Sequence, residues 1–111
     1  MDGRLPAHLE VGGIVRAVES AGGFAAIVQR GERDAGNILI LTMERGKNAA
    51  LWERMAQMDG SRRFVLSREQ HTENPKEFDE YVARRGRADP DCWIVELDVS
   101  DAERFVDSGE P

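Results

Sequence analysis

Phe24-Ala25-Ala26-Ile27-Val28-Gln29-Arg30, Asn37-Ile38-Leu39-Ile40-Leu41-Thr42-Met43, Ala49-Ala50-Leu51-Trp52-Glu53-Arg54-Met55 and Arg63-Phe64-Val65-Leu66-Ser67 are four strand patterns in succession. The connections between them are short and contain Gly31, Gly36, Gly46 and Gly60. Short connections make neighbouring strands antiparallel, because a parallel return needs about a dozen residues or more. The stretch Ile38-Leu39-Ile40-Leu41 is apolar at every position, so it must be covered on both faces and belongs at the centre of a sheet. The first two runs read as a hairpin across residues 31–36, and turns are expected at residues 44–48 and 58–61.

On the N-terminal side, Leu5-Pro6 opens a helix, since proline suits the first helical position, and Ala7, Val11, Ile14, Val18 and Ala21 recur along one face. Gly22-Gly23 supplies the stop. Gly12-Gly13 falls inside that helix, where each glycine costs about 1 kcal/mol against alanine. Close packing onto the sheet explains the pair; a break in the helix or a ligand-facing backbone are the alternatives. On the C-terminal side, Asn74-Pro75-Lys76-Glu77 is a helix start with an asparagine cap, followed by the apolar stripe Phe78, Tyr81 and Val82 and a stop before Asp89-Pro90. Trp93, Val95, Leu97 and Val99 then alternate with Ile94, Glu96 and Asp98 as a half-buried strand. Ser100 to Glu103 repeats the capping-box spacing and starts a short turn through Phe105 and Val106.

The expected fold is therefore α+β: an N-terminal helix, a four-stranded antiparallel meander, a second helix, a fifth strand and a short C-terminal helix. A strand returning through a helix can lie beside any of the first four. The 111 residues read as one domain, 1–111, with 107–111 a disordered acidic end. Hydrophobic residues at 41% and charged residues at 32% are those of a globular chain, and no apolar run approaches the roughly 20 residues that span a bilayer. Residues 1–6 lack the basic-then-apolar order of a signal peptide, so a cytosolic protein is expected.

The net charge of −6 is uneven: residues 1–87 hold 14 basic and 13 acidic side chains, residues 88–111 one basic and 8 acidic. An acidic end is read as a solubilising tail, a surface for a basic partner being the alternative. The overall charge opposes nucleic-acid phosphate, so no nucleic-acid binding and no membrane binding are expected.

Chemistry-bearing patterns are sparse. Gly46-Lys47 lacks both the first glycine and the hydroxyl of a phosphate-binding loop. Glu69, His71 and Glu73 flank one another in a polar loop, but two histidines and one cysteine in the whole chain do not make a zinc site. Cys92, alone and beside Trp93-Ile94-Val95, reads as inert packing rather than as the nucleophile of a dyad with His8 or His71. No metal, no cofactor and no catalytic residue are assigned, and an enzyme is disfavoured. Arginine outnumbers lysine 13 to 2, in clusters at Arg62-Arg63, Arg68 and Arg84-Arg85-x-Arg87. Arginine's planar fork suits carboxylate and phosphate, so Trp52, Arg54, Arg62, Arg63 and Arg68 are the candidate ligand-binding residues. The clusters read first as surface pairing, Arg84, Arg85 and Arg87 with Glu77, Asp79 and Glu80 on their own helix, and anion binding is the alternative. Trp52 and Trp93 read as core anchors.

The segments Leu5-Pro6-Ala7, Gly22-Gly23-Phe24-Ala25, Asp34-Ala35-Gly36, Trp52-Glu53-Arg54-Met55, Asp59-Gly60-Ser61-Arg62-Arg63, Glu73-Asn74-Pro75 and Glu96-Leu97-Asp98 span nearly the whole chain. In them the chain resembles a bacterial family of about this length, the domain of unknown function DUF1491. That resemblance implies a stand-alone small cytosolic protein and carries over no activity, cofactor or site. The expected function is a binding or regulatory module acting through protein contacts, as a homodimer or with a partner along an open sheet edge. The alternative is a small enzyme or anionic-ligand binder using the arginine-rich strand ends. A pocket lined by those side chains favours the second reading; an exposed sheet edge favours the first.

Overall fold

The computed structural model describes residues 5–56 and 58–106. The elements follow the expected order: α1 (Ala7–Ser20), β1 (Phe24–Gln29), β2 (Ile38–Glu44), β3 (Lys47–Ala56), β4 (Arg62–Glu69), α2 (Pro75–Ala88), β5 (Trp93–Asp98) and α3 (Glu103–Val106). They make an α+β fold around one five-stranded sheet of order β1-β5-β2-β3-β4. β2 is its middle strand, and Ile38 through Thr42 are all buried.

The hairpin expected between the first two strands does not form. β5 inserts between them, antiparallel to β1 (Phe24↔Asp98 to Ile27↔Val95) and parallel to β2 (Ile38↔Trp93 to Met43↔Asp98). The meander thus consists of β2, β3 and β4, and β1 runs antiparallel to it at one strand's remove. The reason lies in residues 31–36, which arch over the entering β5 instead of turning tightly. Glu32 N–H donates to Asp91 O at 2.7 Å, and the Trp93 indole N–H donates to Glu32 O at 2.7 Å. A Cβ on Gly31 or Gly36 would lie 2.2 or 2.3 Å from Asp91 O, so glycine at both positions is what allows the arch to touch that backbone. The Glu32 carboxylate accepts from the amides of Ala35 (2.6 Å) and Asp34 (2.9 Å), which holds its pKa below the usual value.

The helices cover the sheet from both sides. On the first face α1 and α3 bury Val11, Ile14, Val18, Phe105 and Val106 against Ile38, Ile40, Trp93, Val95 and Leu97. On the second, α2 buries Phe78 and Val82 against Leu39, Leu41, Leu51, Cys92 and Ile94. The alternation of β5 and the two-faced run of β2 account for this division. Trp93 is a core residue; Trp52 is half-buried, its indole N–H donating to the buried Thr42 hydroxyl at 2.9 Å.

Several details depart from expectation. α1 begins at Ala7 with Pro6 in the cap position, and Ala21 is exposed beyond its end. The stop is as expected: Gly22 has φ 84°, and the amides of Gly23 and Gly22 donate back to Val18 O and Glu19 O. Gly12 and Gly13 neither break the helix nor approach the sheet, since a Cβ on Gly13 would meet nothing within 4 Å and one on Gly12 only the Arg16 side chain. The close helix-to-sheet approach is at Gly86 of α2, where a Cβ would lie 2.7 Å from Gln29 Oε1. Gln29 Nε2 there donates to the carbonyls of Cys92 (2.9 Å), Asp89 (3.2 Å) and Gly86 (3.3 Å). At α2's start the Asn74 side chain accepts from Glu77 N as expected. The capping-box spacing at Ser100 is unused: Asp101 is left-handed (φ 56°) and α3 starts only at Glu103.

Much of the acidic charge placed in a tail belongs to folded elements instead. Asp89 ends α2, Glu96 and Asp98 lie on β5, and Glu103 opens α3. Asp98 has a structural task. Between β2 and β3 the two-residue turn Arg45-Gly46 has φ 54° and 73°, a hairpin geometry awkward for arginine, and Asp98 accepts from both turn amides at 2.7 and 2.9 Å. Residues 107–111, the expected disordered end, lie outside the described residues.

Candidate functional site

α1, α2 and α3 centre on β2 and β5, and β4 at the sheet's border meets them through Phe64 on one face and Arg68 on the other. Its residues are exposed throughout except the half-buried Phe64. Val65, directed to the α2 side by its pairing with Glu53, and Leu66, directed to the α1 side by its pairing with Trp52, are 38% and 44% exposed. An apolar centre, Phe64-Val65-Leu66, is thus flanked by Arg62-Arg63 and Arg68-Glu69 on a strand paired along one side only.

A bulge shapes the far end of β4. Trp52 pairs with Leu66 and Leu51 with Arg68, so Ser67 is the additional residue. Ser67 turns toward the α2 side and donates to Glu53 Oε2 at 2.6 Å, while Arg85 of α2 donates to Glu53 Oε1 at 2.5 Å. Burial alone would push the Glu53 carboxyl up; the Arg85 and Ser67 hydrogen bonds and the Arg85 charge outweigh it and hold the pKa below its usual value. Arg85 therefore crosses to the sheet, correcting the expectation that it pairs along its own helix. Arg68 lies with its guanidinium 3.9 Å from the centroid of Tyr81, and Arg84 approaches the same ring at 5.9 Å.

A cleft of ≈ 380 Å³ opens on the α1 side, between the start of α1, the arch and the β3–β4 end. Pro6, Glu10, Asp34, Ile38, Arg54 and Arg62 line it. Arg54 is ion-paired with Glu10 and stacks over Phe64, 4.6 Å from its centroid. The α1 amides that could meet an anion are taken by the arch: Ala7 N donates to Asp34 O and His8 N to Arg33 O, both at 2.9 Å.

The five sequence candidates therefore do not form one site. Trp52, Arg54 and Arg62 lie on the α1 side of the sheet, and Arg63 and Arg68 on the α2 side, as their cross-strand partners require. Only Arg54 and Arg62 of the five line the cleft, with Glu10 and Asp34 as acidic neighbours. Sequence reasoning missed Ser67, Tyr81, Arg84 and the Glu53–Arg85 pair. Glu53 in an otherwise apolar alternation was the signal for a buried partner, but nothing local named Arg85. Cys92 is fully buried, its thiol pushed up by burial. Among the described residues no group of three or more His, Cys, Asp or Glu could hold a metal, and no helix is long and apolar enough to cross a membrane.

These features define a small α+β protein with one bare sheet border. Residues 5–107 match the family model described as "Protein of unknown function (DUF1491)", and the chain belongs to that family. Its fold is shared by the crystal structure of a DUF1491 family protein from Caulobacter crescentus CB15 (29% identity, 92% of this chain and 94% of that chain, TM-score 0.80). It is shared too by the NMR structure of a DUF1491 family protein from Caulobacter crescentus CB15 (29%, 92% of each chain, 0.77). The solution structure of protein Atu0922 from A. tumefaciens is also similar (28%, 93% and 92%, 0.73). No curated protein matches the chain.

Proposed function

We propose that this protein is a cytosolic bacterial binding module that takes up an extended segment of a partner protein as an added strand on β4. The observation that carries the reading is β4 itself: an outer strand of eight residues, all exposed but the half-buried Phe64, with an apolar centre at Val65 and Leu66. Exposed strand edges pair unless proline, inward charge or a cover blocks them, and β4 has no proline and charge only toward its ends. The ligand-cleft reading has less support, because Glu10 already pairs with Arg54 there and Asp34 adds a second carboxylate. The test is site-specific photo-crosslinking in the native cell from Val65 and, as control, from the exposed Glu103. A single partner segment captured from Val65, absent from Glu103 and lost with Leu66→Lys, supports the proposal. Equal capture from both positions refutes it.

The opposite border favours a second reading. β1 carries no charge at all, and Phe24, Ile27 and Val28 are 58%, 40% and 54% exposed. A neutral edge can pair with its own copy across a twofold axis without setting like charges together, giving a homodimer with a continuous sheet. Light scattering after size exclusion decides it: a monomeric mass at tens of micromolar removes the dimer.

A further inference from the structure

We infer that the strand added to β4 is an acidic one, with carboxylates alternating with apolar residues so that its acidic side meets Arg68 and Arg84. This rests on the β4 reading above and names the partner's chemistry. The two faces of β4 differ. Toward α1 it presents Phe64 and Leu66 at its centre with Arg62 and Glu69 at its ends; toward α2 it presents Arg63, Val65, Ser67 and, past the bulge, Arg68. An added strand places its side chains about 5 Å from their cross-strand neighbours, so each face of the newcomer is read by the matching face of β4.

The α2 side is built to receive an anion. The Arg68 guanidinium lies over the Tyr81 ring, 3.9 Å from its centroid, and Arg84 reaches that ring from the helix at 5.9 Å. A guanidinium held over a ring uses none of its N–H donors on that ring's edge, so they remain for a carboxylate, which arginine's planar fork can take in bidentate fashion. Among the described residues Tyr81 is the side-chain partner of both arginines, and no carboxylate pairs with either, whereas Arg54 and Arg85 each have one. A second copy of this chain is the weaker occupant, because centred antiparallel self-pairing of Arg62–Glu69 sets Arg63 opposite Arg68 twice, against the attraction of Arg62 for Glu69, and offers no carboxylate to Arg84. An extended acidic segment of another protein has the complementary charge on one side and the apolar contacts for Phe64 and Leu66 on the other.

The experiment uses the full chain, labelled with 15N, and fluorescent peptides of one length: alternating Val and Glu, alternating Val and Gln, and the Val/Glu composition in two blocks. Anisotropy should show the alternating Val/Glu peptide binding about tenfold or more tighter than the other two, an advantage lost in Arg68→Ala/Arg84→Ala and only partly kept in Arg68→Lys/Arg84→Lys, which retains the charge without the planar fork. Both positions are solvent-facing, so the variants fold, and a thermal melt verifies it. The amides of residues 62–69 should shift on binding. If those amides shift equally with the Val/Gln peptide, the acidic preference is overturned and strand addition stands. If the Val/Glu peptide shifts amides elsewhere and not on β4, or if no peptide binds, strand addition is overturned as well.

Discussion

Replacing Arg85 by methionine isolates an ionic contact, that with Glu53, which ties α2 to the bare half of the sheet. Glu53 and Arg85 side chains are 10% and 28% exposed, and Glu53 keeps Ser67 as a second donor. Removing one partner of a buried pair costs about 3 to 5 kcal/mol; the partial exposure of Arg85 and the surviving Ser67 bond reduce this to about 2 to 3. Against a total of about 5 to 15 kcal/mol that is a large share, lowering the melting temperature by roughly 10 °C. Glu53→Leu/Arg85→Met removes both charges beside Phe78 and Leu51 and should return to within about 1 kcal/mol of wild type. The pH dependence gives an independent sign. In the wild type the Glu53 pKa is depressed, so its contribution is full above the unfolded value of about 4.3 and is lost as pH falls through the folded value. In Arg85→Met burial wins and the pKa rises, so protonation relieves the variant and its deficit shrinks on acidification. Urea melts between pH 3 and 7 measure both effects. An Arg85→Met protein within about 0.5 kcal/mol of wild type at pH 7, or a double variant no better than the single one, would refute the reasoning.

Ile40→Asp places a carboxylate in the middle of the central strand, where Ile40 is fully buried, and should abolish cooperative folding; a soluble variant melting within about 1 kcal/mol of wild type contradicts this. Gly13→Ala should stabilise by about 0.5 to 1 kcal/mol, having open space for its methyl group, whereas Gly31→Ala must displace the Asp91 carbonyl and should destabilise by more than that; denaturant melts in the reverse order defeat the account. Asp98→Ala strips two acceptors from the Arg45-Gly46 turn and should cost about 1 to 2 kcal/mol, with faster hydrogen exchange at those two amides as the specific sign.

What the sequence displayed was whatever local physics writes. The two-faced run Ile38–Leu41, the Asn74-Pro75 start, the Gly22-Gly23 stop and the alternation from Trp93 all concern residues a few positions apart, and the structure has each of them. The place of β5 was not legible, because it depends on the arch at residues 31–36 leaving room for a strand about sixty residues later in the chain, and Gly31 and Gly36 look the same in a tight turn as in an arch. The candidate site shows the same limit. Arg62, Arg63 and Arg68 were visible as a cluster, but the period of a strand sends neighbours to opposite faces, and the bulge at Ser67 then resets that period for Arg68. Tyr81 looked like core stripe and Arg84 like helix-end charge until α2 was laid across the sheet.

The wedge position of β5 also orders events in time. On the ribosome β1 is complete long before Trp93–Asp98 is synthesised, and it has no other strand to pair with. Until then Phe24, Ile27 and Val28 are open on an unpaired segment, while β2, β3 and β4 can already zip together from their turns. At ordinary elongation rates the interval lasts seconds, long enough for β1 to meet a chaperone or another nascent chain. The step that ends it closes a long loop and forms the sheet's only parallel pair, the slow kind of contact. Completion of the sheet therefore waits on its second strand from the edge, and a chain halted before residue 93 leaves β1 without its strand partner.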